Sequence, residues 1–187
     1  QSDLSVATTS HHLQTLKQMK IVSVRKEGLY VFYTINDDDI LEVIQAIRKV
    51  TEKRLSQIQD ILQTYKSDKE LLDTIHSKEL LKRIKNNSVI ILDVRPYDEY
   101  LSGHIKGAVS IPLSELEKRV GELKKNKDIV AYCRGPYCIM APKAVEILQK
   151  YHFKAKRLDS GFPEWKISGL PVTSHKRGKH EKISHYT

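Results

Sequence analysis

The sequence predicts an α/β protein, with a mainly parallel sheet flanked by helices, preceded by a helix, a hairpin and one long helix. Three observations carry this. From residue 74 onward, short continuous apolar runs such as Val89–Val94 and Ile129–Tyr132 alternate with helical patterns, as in sheets buried on both faces. Residues 21–35 hold two β-rich runs around a glycine-containing turn. Residues 37–65 then run without proline or glycine in a helical period. The chain divides into residues 1–65, a charged linker over 66–73, a unit over 74–173 and a basic tail over 174–187, expected to be disordered.

Ser5 is the expected N-cap of a first helix reaching Met19. Val6, Thr9, Leu13, Leu16 and Met19 form its apolar face, while Thr8, His11, Gln14 or Thr15, and Gln18 face outward as hydrogen-bonding groups. Ile21–Arg25 and Leu29–Ile35 are the hairpin strands, with Lys26-Glu27-Gly28 as the turn. Asn36 or Asp37 caps the long helix, and Asp37, Asp38 and Asp39 suit its positive end. Its stripe of Ile40, Ile44, Ile47, Thr51, Ile58, Ile61 or Leu62, and Tyr65 predicts pairing of two copies through residues 37–65. Beyond the linker, a helix over 77–84, the strand over 89–94, a helix over 115–123, the strand over 129–132, a helix over 141–151 and a strand over 154–158 follow in order.

Composition narrows the function. No apolar run approaches the roughly 20 residues of a membrane span, and no charged-then-apolar leader opens the sequence. Two cysteines cannot make a disulfide framework, so a cytoplasmic protein with reduced thiols is expected. The net charge of +9 divides as +1 over residues 1–66, +5 over 67–173 and +3 over the tail. Such a charge fits binding of a polyanion or simple solubility. No cofactor and no metal is expected. His175, His180 and His185 are too loosely spaced for a metal site, and residues 37–65 contain neither His nor Cys.

The candidate chemistry lies at Cys133, just after the strand over 129–132, where α/β sheets build their sites. Loop amides, Arg134 and a following helix start would stabilise an anion and lower the thiol pKa. A buried inert cysteine fits the same position. The motifs Leu92-Asp93-Val94-Arg95, Glu99 through Pro112, Tyr132-Cys133-Arg134-Gly135, Gly161-Phe162-Pro163-Glu164-Trp165 and Gly169-Leu170-Pro171-Val172 occur in that order. Residues 75–173 thereby resemble a single-domain rhodanese, a sulfurtransferase. The resemblance implies that Cys133 takes sulfane sulfur from a donor, holds a persulfide within Arg134, Gly135, Pro136, Tyr137 and Cys138, and passes sulfur to a thiol acceptor. It also implies structural support from Asp93, Arg95 and His104, and tight turns at Gly103, Gly107 and Gly161.

The departure from the family pattern is Cys138, the sixth loop residue, where the family often carries a basic or small polar residue. A thiol there puts an anionic donor such as thiosulfate in doubt and suggests a resolving partner for Cys133. Simple packing at the helix start is the alternative. Related-fold phosphatases use a Cys-x5-Arg loop, but the sixth residue after Cys133 is Ile139. Phosphate-ester hydrolysis is therefore not expected.

Ser10 through Leu16, Ile21-Val22 and Arg25 through Tyr33 resemble the second half of an ArsR-type winged helix over residues 4–65, with Lys20 where the family usually has glycine. This resemblance implies duplex DNA as partner, contacted by Thr8, His11 and Gln14 on the recognition helix and by Arg25 and Lys26 on the wing. A helix and hairpin used only for dimerisation is the alternative. The sequence opens almost at the recognition helix, so it reads as lacking the helices that precede it in that family.

Overall fold

The computed structural model describes residues 5–54 and 74–174 of a chain that forms two compact units, 1–61 and 62–187. The second half of the expected long helix, the linker and the tail histidines fall outside the described residues.

In the first unit, α1 is Val6–Gln18, and the Thr8 amide donates to Ser5 Oγ at 3.1 Å as its N-cap. At the other end the Ile21 amide donates to the Leu16 carbonyl and the Lys20 amide to that of Lys17, both at 3.0 Å. Lys20 sits between them at φ 58°, so the helix closes in a Schellman motif. The glycine expected there by resemblance is thus replaced by a residue held in left-handed backbone. Asn36 secures this corner: its amide donates to Ile21 O at 3.1 Å and its Nδ2 to Lys20 O at 2.5 Å.

The hairpin joins β1, Val22–Glu27, to β2, Tyr30–Ile35, in register from Val22↔Ile35 to Glu27↔Tyr30. Its turn is Gly28-Leu29, with Gly28 at φ 57°, rather than Lys26-Glu27-Gly28. A two-residue turn matches strand twist best with glycine first, which draws Lys26 and Glu27 into the strand. The α1 face expected to be apolar is only half-buried at Leu13 and Leu16, while Val6 and Met19 are exposed.

Helix α2 is described as Asp38–Arg54, with Asp38 and Asp39 in its first turn. Leu41, Gln45 and Arg48 turn partly inward. Val43, Ile44, Ile47 and Val50 stay exposed at helical spacing, so the outward stripe runs through Val43 and Val50 beside the expected Ile44 and Ile47.

The second unit is a five-stranded parallel sheet in the order β3-β8-β7-β4-β6. Its strands are β3 (Thr74–Ile75), β4 (Val89–Asp93), β6 (Val109–Ser110), β7 (Asp128–Tyr132) and β8 (Ala155–Leu158). A small antiparallel pair joins β5, His104–Ile105, to β9, Val172–Thr173. One face packs Leu92, Ile129, Ala131 and Ala155 on α6, Met140–Lys150, through Ala141, Ala144, Val145 and Leu148. The other packs Ile91, Val130, Tyr132 and Leu158 with Leu80 of α3, Ser77–Lys85, and Trp165 of α7, Phe162–Ile167. The helix expected over 115–123 is broken: only α5, Leu116–Arg119, is α-helical, between 3₁₀ turns at Leu113–Glu115 and Val120–Glu122. Arg119 there bonds both Glu115 and Glu122, and Gly121 lowers helix propensity. Helix α4, Tyr97–Ser102, and helix α7 are additions to the sequence reading.

Because Lys20 holds left-handed backbone that glycine adopts without strain, Lys20→Gly should stabilise the first unit by ~0.5–1 kcal/mol. Hydrogen exchange of the hairpin amides would show slower opening; unchanged or faster exchange contradicts the assignment.

Candidate functional site

Strands β4 and β7 pair in register up to Asp93↔Tyr132, and the chain then leaves the sheet into the loop 133–139. β6 lies on one side of β4 and β7 on the other, so this carboxyl end is a switch point of the sheet. The Asp93 carboxylate is fully buried there. Arg95 donates to it from Nη2 at 2.6 Å, from Nε at 3.0 and 3.2 Å, and from its own amide at 3.0 Å. Tyr132 Oη donates to Asp93 Oδ2 at 2.5 Å and accepts from the Ile105 amide at 3.1 Å. Arg95 Nη2 reaches on to the Gly103 carbonyl at 2.7 Å, and its guanidinium lies 4.5 Å from the Phe162 ring centre. Burial opposes the Arg95 charge, but the hydrogen bonds and charge of Asp93 outweigh it and raise its pKa. Burial first, then the charge of Asp93, raises the Tyr132 phenol, which stays a donor.

Tyr132 is followed directly by Cys133, which is buried. The Cys133 carbonyl accepts from the Phe162 amide at 3.0 Å, tying the loop to the start of α7. Gly161 closes this junction. A Cβ there would lie 2.2 Å from the Gly135 nitrogen and 2.5 Å from the Arg134 carbonyl carbon. The glycine is needed for close approach of two backbones and not, as its motif suggests, for a turn: its φ is −119°. Gly103, at φ 166°, is likewise extended, and only Gly107, at φ 83°, serves a left-handed turn.

The Cys133 Sγ lies 3.7 Å from the Gly135 carbonyl oxygen and 3.6 Å from that of Cys138. The Cys138 amide is spent on the Gly135 carbonyl at 3.1 Å. Burial pushes the thiol up to about 12, with hydrogen bonding to the Cys138 side chain adding to the rise. Backbone hydrogen bonds with Gly135 and Ala141 pull the other way. The expected lowering of this pKa is therefore reversed: desolvation of the thiolate outweighs the loop amides.

Arg134 also departs from expectation. Its Nε donates to Glu99 of α4 at 2.9 and 3.1 Å, and its Nη2 completes a bidentate pair with the same carboxylate. The cation expected to face an anion is already matched. Tyr137 and Ile139 stand exposed on either side of half-buried Cys138, and Pro136 completes the loop. His104 is buried, donates from Nδ1 to the Tyr100 carbonyl at 2.8 Å and stacks on the Tyr100 ring at 3.7 Å.

In the first unit, Thr8, His11 and Gln14 are exposed along one face of α1. Thr8 Oγ1 lies 2.9 Å from Ser5 Oγ. Arg25 is exposed on β1 as expected, Lys26 is exposed on β1 rather than at the turn, and Arg25 is held by Glu27 and over the Phe32 ring. Sequence reasoning missed Glu99, Tyr132 and Gly161 as partners of the cysteine loop. Their signal was present in the quoted motifs, but only the fold brings them together.

A thiol with its pKa raised to about 12 is almost wholly protonated at neutral pH. The thiolate is the reactive form, so alkylation of Cys133 by iodoacetamide should rise roughly tenfold per pH unit from 7 to 9. A plateau below pH 8, read by peptide mass, would contradict the buried neutral thiol.

Residues 76–168 match the rhodanese-like domain family. The chain is 40% identical over 169 residues to the HTH-type transcriptional regulator Rv0324 of Mycobacterium tuberculosis, covering 90% of this chain and 74% of that protein. It is 46% identical over 43 residues to the cadmium resistance transcriptional regulatory protein CadC of Listeria innocua, an ArsR-family protein, covering 23% of this chain and 36% of CadC. A sulfurtransferase of Allochromatium vinosum is 27% identical over 106 residues, 56% of this chain and 97% of that protein. The crystal structure of a full-length protein from Lactobacillus plantarum superposes with a TM-score of 0.53 at 28% identity, over 64% of this chain and 98% of that one. The chain belongs to the family of regulators that join an ArsR-type helix-turn-helix segment to a rhodanese-like domain.

Proposed function

We propose that the chain is part of a DNA-binding regulator whose rhodanese-like unit forms a persulfide at Cys133 and passes its outer sulfur to a thiol acceptor. The observation that carries this reading is the placement of Cys133. It stands buried at the carboxyl end of β7, where its carbonyl accepts from the Phe162 amide and Gly161 packs against Gly135. The family match and the sulfurtransferase relative support the chemistry. Cys133 thiolate attacks the outer sulfur of a persulfide R–S–SH. The new Sγ–S bond forms as the inner S–S bond breaks, and its electron pair leaves with RS⁻. Residues 134–138 line the acceptor sulfur, while Asp93, Arg95 and His104 hold the surrounding loops.

DNA recognition is assigned to Thr8, His11 and Gln14 on α1, with Arg25 and Lys26 of β1 at the phosphates. The exposed stripe of Val43, Ile44, Ile47 and Val50 supports pairing of two copies, which would set two α1 helices on a palindrome.

A second reading follows from the place of Cys138 in the same loop, half-buried and with its carbonyl oxygen 3.6 Å from Cys133 Sγ. Cys138 can attack the inner sulfur of the Cys133 persulfide, closing a disulfide as hydrogen sulfide leaves. The site then switches with little turnover.

Peptide masses after exposure of the reduced protein to hydroxyethyl persulfide test the proposal. One added sulfur on the Cys133 peptide, removed by cyanide and absent in Cys133→Ser, is the expected result. A Cys133–Cys138 disulfide favours the switch. No change at either cysteine contradicts both.

A further inference from the structure

We infer that Glu99 makes this site selective for organic persulfides, which carry little charge, over the thiosulfate dianion. The inference rests on the sulfur-transfer reading and names its donor class. Within residues 133–139 the single cation is Arg134, and it is held bidentately by Glu99. The Arg134 pKa is raised, first by that hydrogen bond, so its charge is held against the Glu99 side chain. The buried cation Arg95 is matched in the same way by Asp93.

Attack on thiosulfate expels sulfite. Both negative charges of the donor must approach the loop, and both leave with the sulfite as sulfur passes to Cys133. A dianion gains nothing from a neutral ion pair. Displacing Glu99 would leave a carboxylate beside the incoming charge, and like charges at such range repel. The rim adds to this cost. Tyr137 and Ile139 are exposed on either side of half-buried Cys138, so residues 137–139 offer a donor apolar surface and no cation of their own. A monoanionic or neutral persulfide needs only the loop amides and the start of α6, and its organic group suits the Tyr137–Ile139 rim. The Arg134–Glu99 pair is exposed enough to add little stability, so its consequence lies in the local field.

The test is the ratio of two loading rates at Cys133, followed by intact mass, with thiosulfate and with hydroxyethyl persulfide as donors. The wild-type protein should load at least about tenfold faster from hydroxyethyl persulfide. Glu99→Gln frees Arg134 and should move the ratio toward thiosulfate about tenfold, a shift that general damage to the loop would not produce because it slows both donors. Glu99→Asp keeps the charge and should keep the wild-type ratio. A ratio unchanged in Glu99→Gln, or thiosulfate preferred by the wild type, overturns the inference and leaves sulfur transfer standing. Loading from neither donor overturns both.

Discussion

The site depends on a single buried carboxylate. Asp93 sits at the end of β4 with no exposure to water, and an uncompensated charge there would be prohibitive. Arg95 and Tyr132 supply the compensation, and each drags another element with it. Arg95 fixes the Gly103 carbonyl and lies against Phe162, while Tyr132 fixes the Ile105 amide. One network thus ties β4, β7, the turn before β5 and the start of α7. Cys133 is the next residue after Tyr132, so its position is inherited from this network.

That inheritance explains the electrostatics of the thiol. Phe162 and Gly161 press the loop shut against the end of the sheet. Closure removes water from Cys133 and turns the Gly135 and Cys138 carbonyls toward its sulfur. The neutral thiol is favoured at rest. Under the proposed sulfur transfer, the Arg134–Glu99 pair and the exposed Tyr137 and Ile139 side chains would act on the donor.

Much of this was legible in the chain. Buried strands at 89–94 and 129–132 are continuous apolar runs, and each is a strand of the parallel sheet. The Ser5 cap was readable because capping is a local hydrogen bond. What was not legible depends on distant pairs. Glu99 meets Arg134 across 35 positions, and Gly161 meets Gly135 across the site, so neither partner is visible from either stretch alone. The thiol pKa was misjudged for the same reason: loop amides can be guessed from local sequence, but burial in one cluster with Val94, Ile111 and Ala141 cannot. The hairpin turn was misplaced by two residues because its charged residues resemble loop, although glycine at the first turn position decides the geometry.

The claim at the centre of this account is that the Asp93 network positions the cysteine loop. Tyr132→Phe removes one donor to Asp93 and the acceptor for the Ile105 amide while keeping the ring. The decisive measurement is the rate of sulfur loading at Cys133 in this variant, well below its unfolding midpoint. The account predicts a rate reduced by at least about tenfold together with a stability loss of ~1–3 kcal/mol. A wild-type loading rate in a destabilised protein would show that the network holds the fold without setting the site.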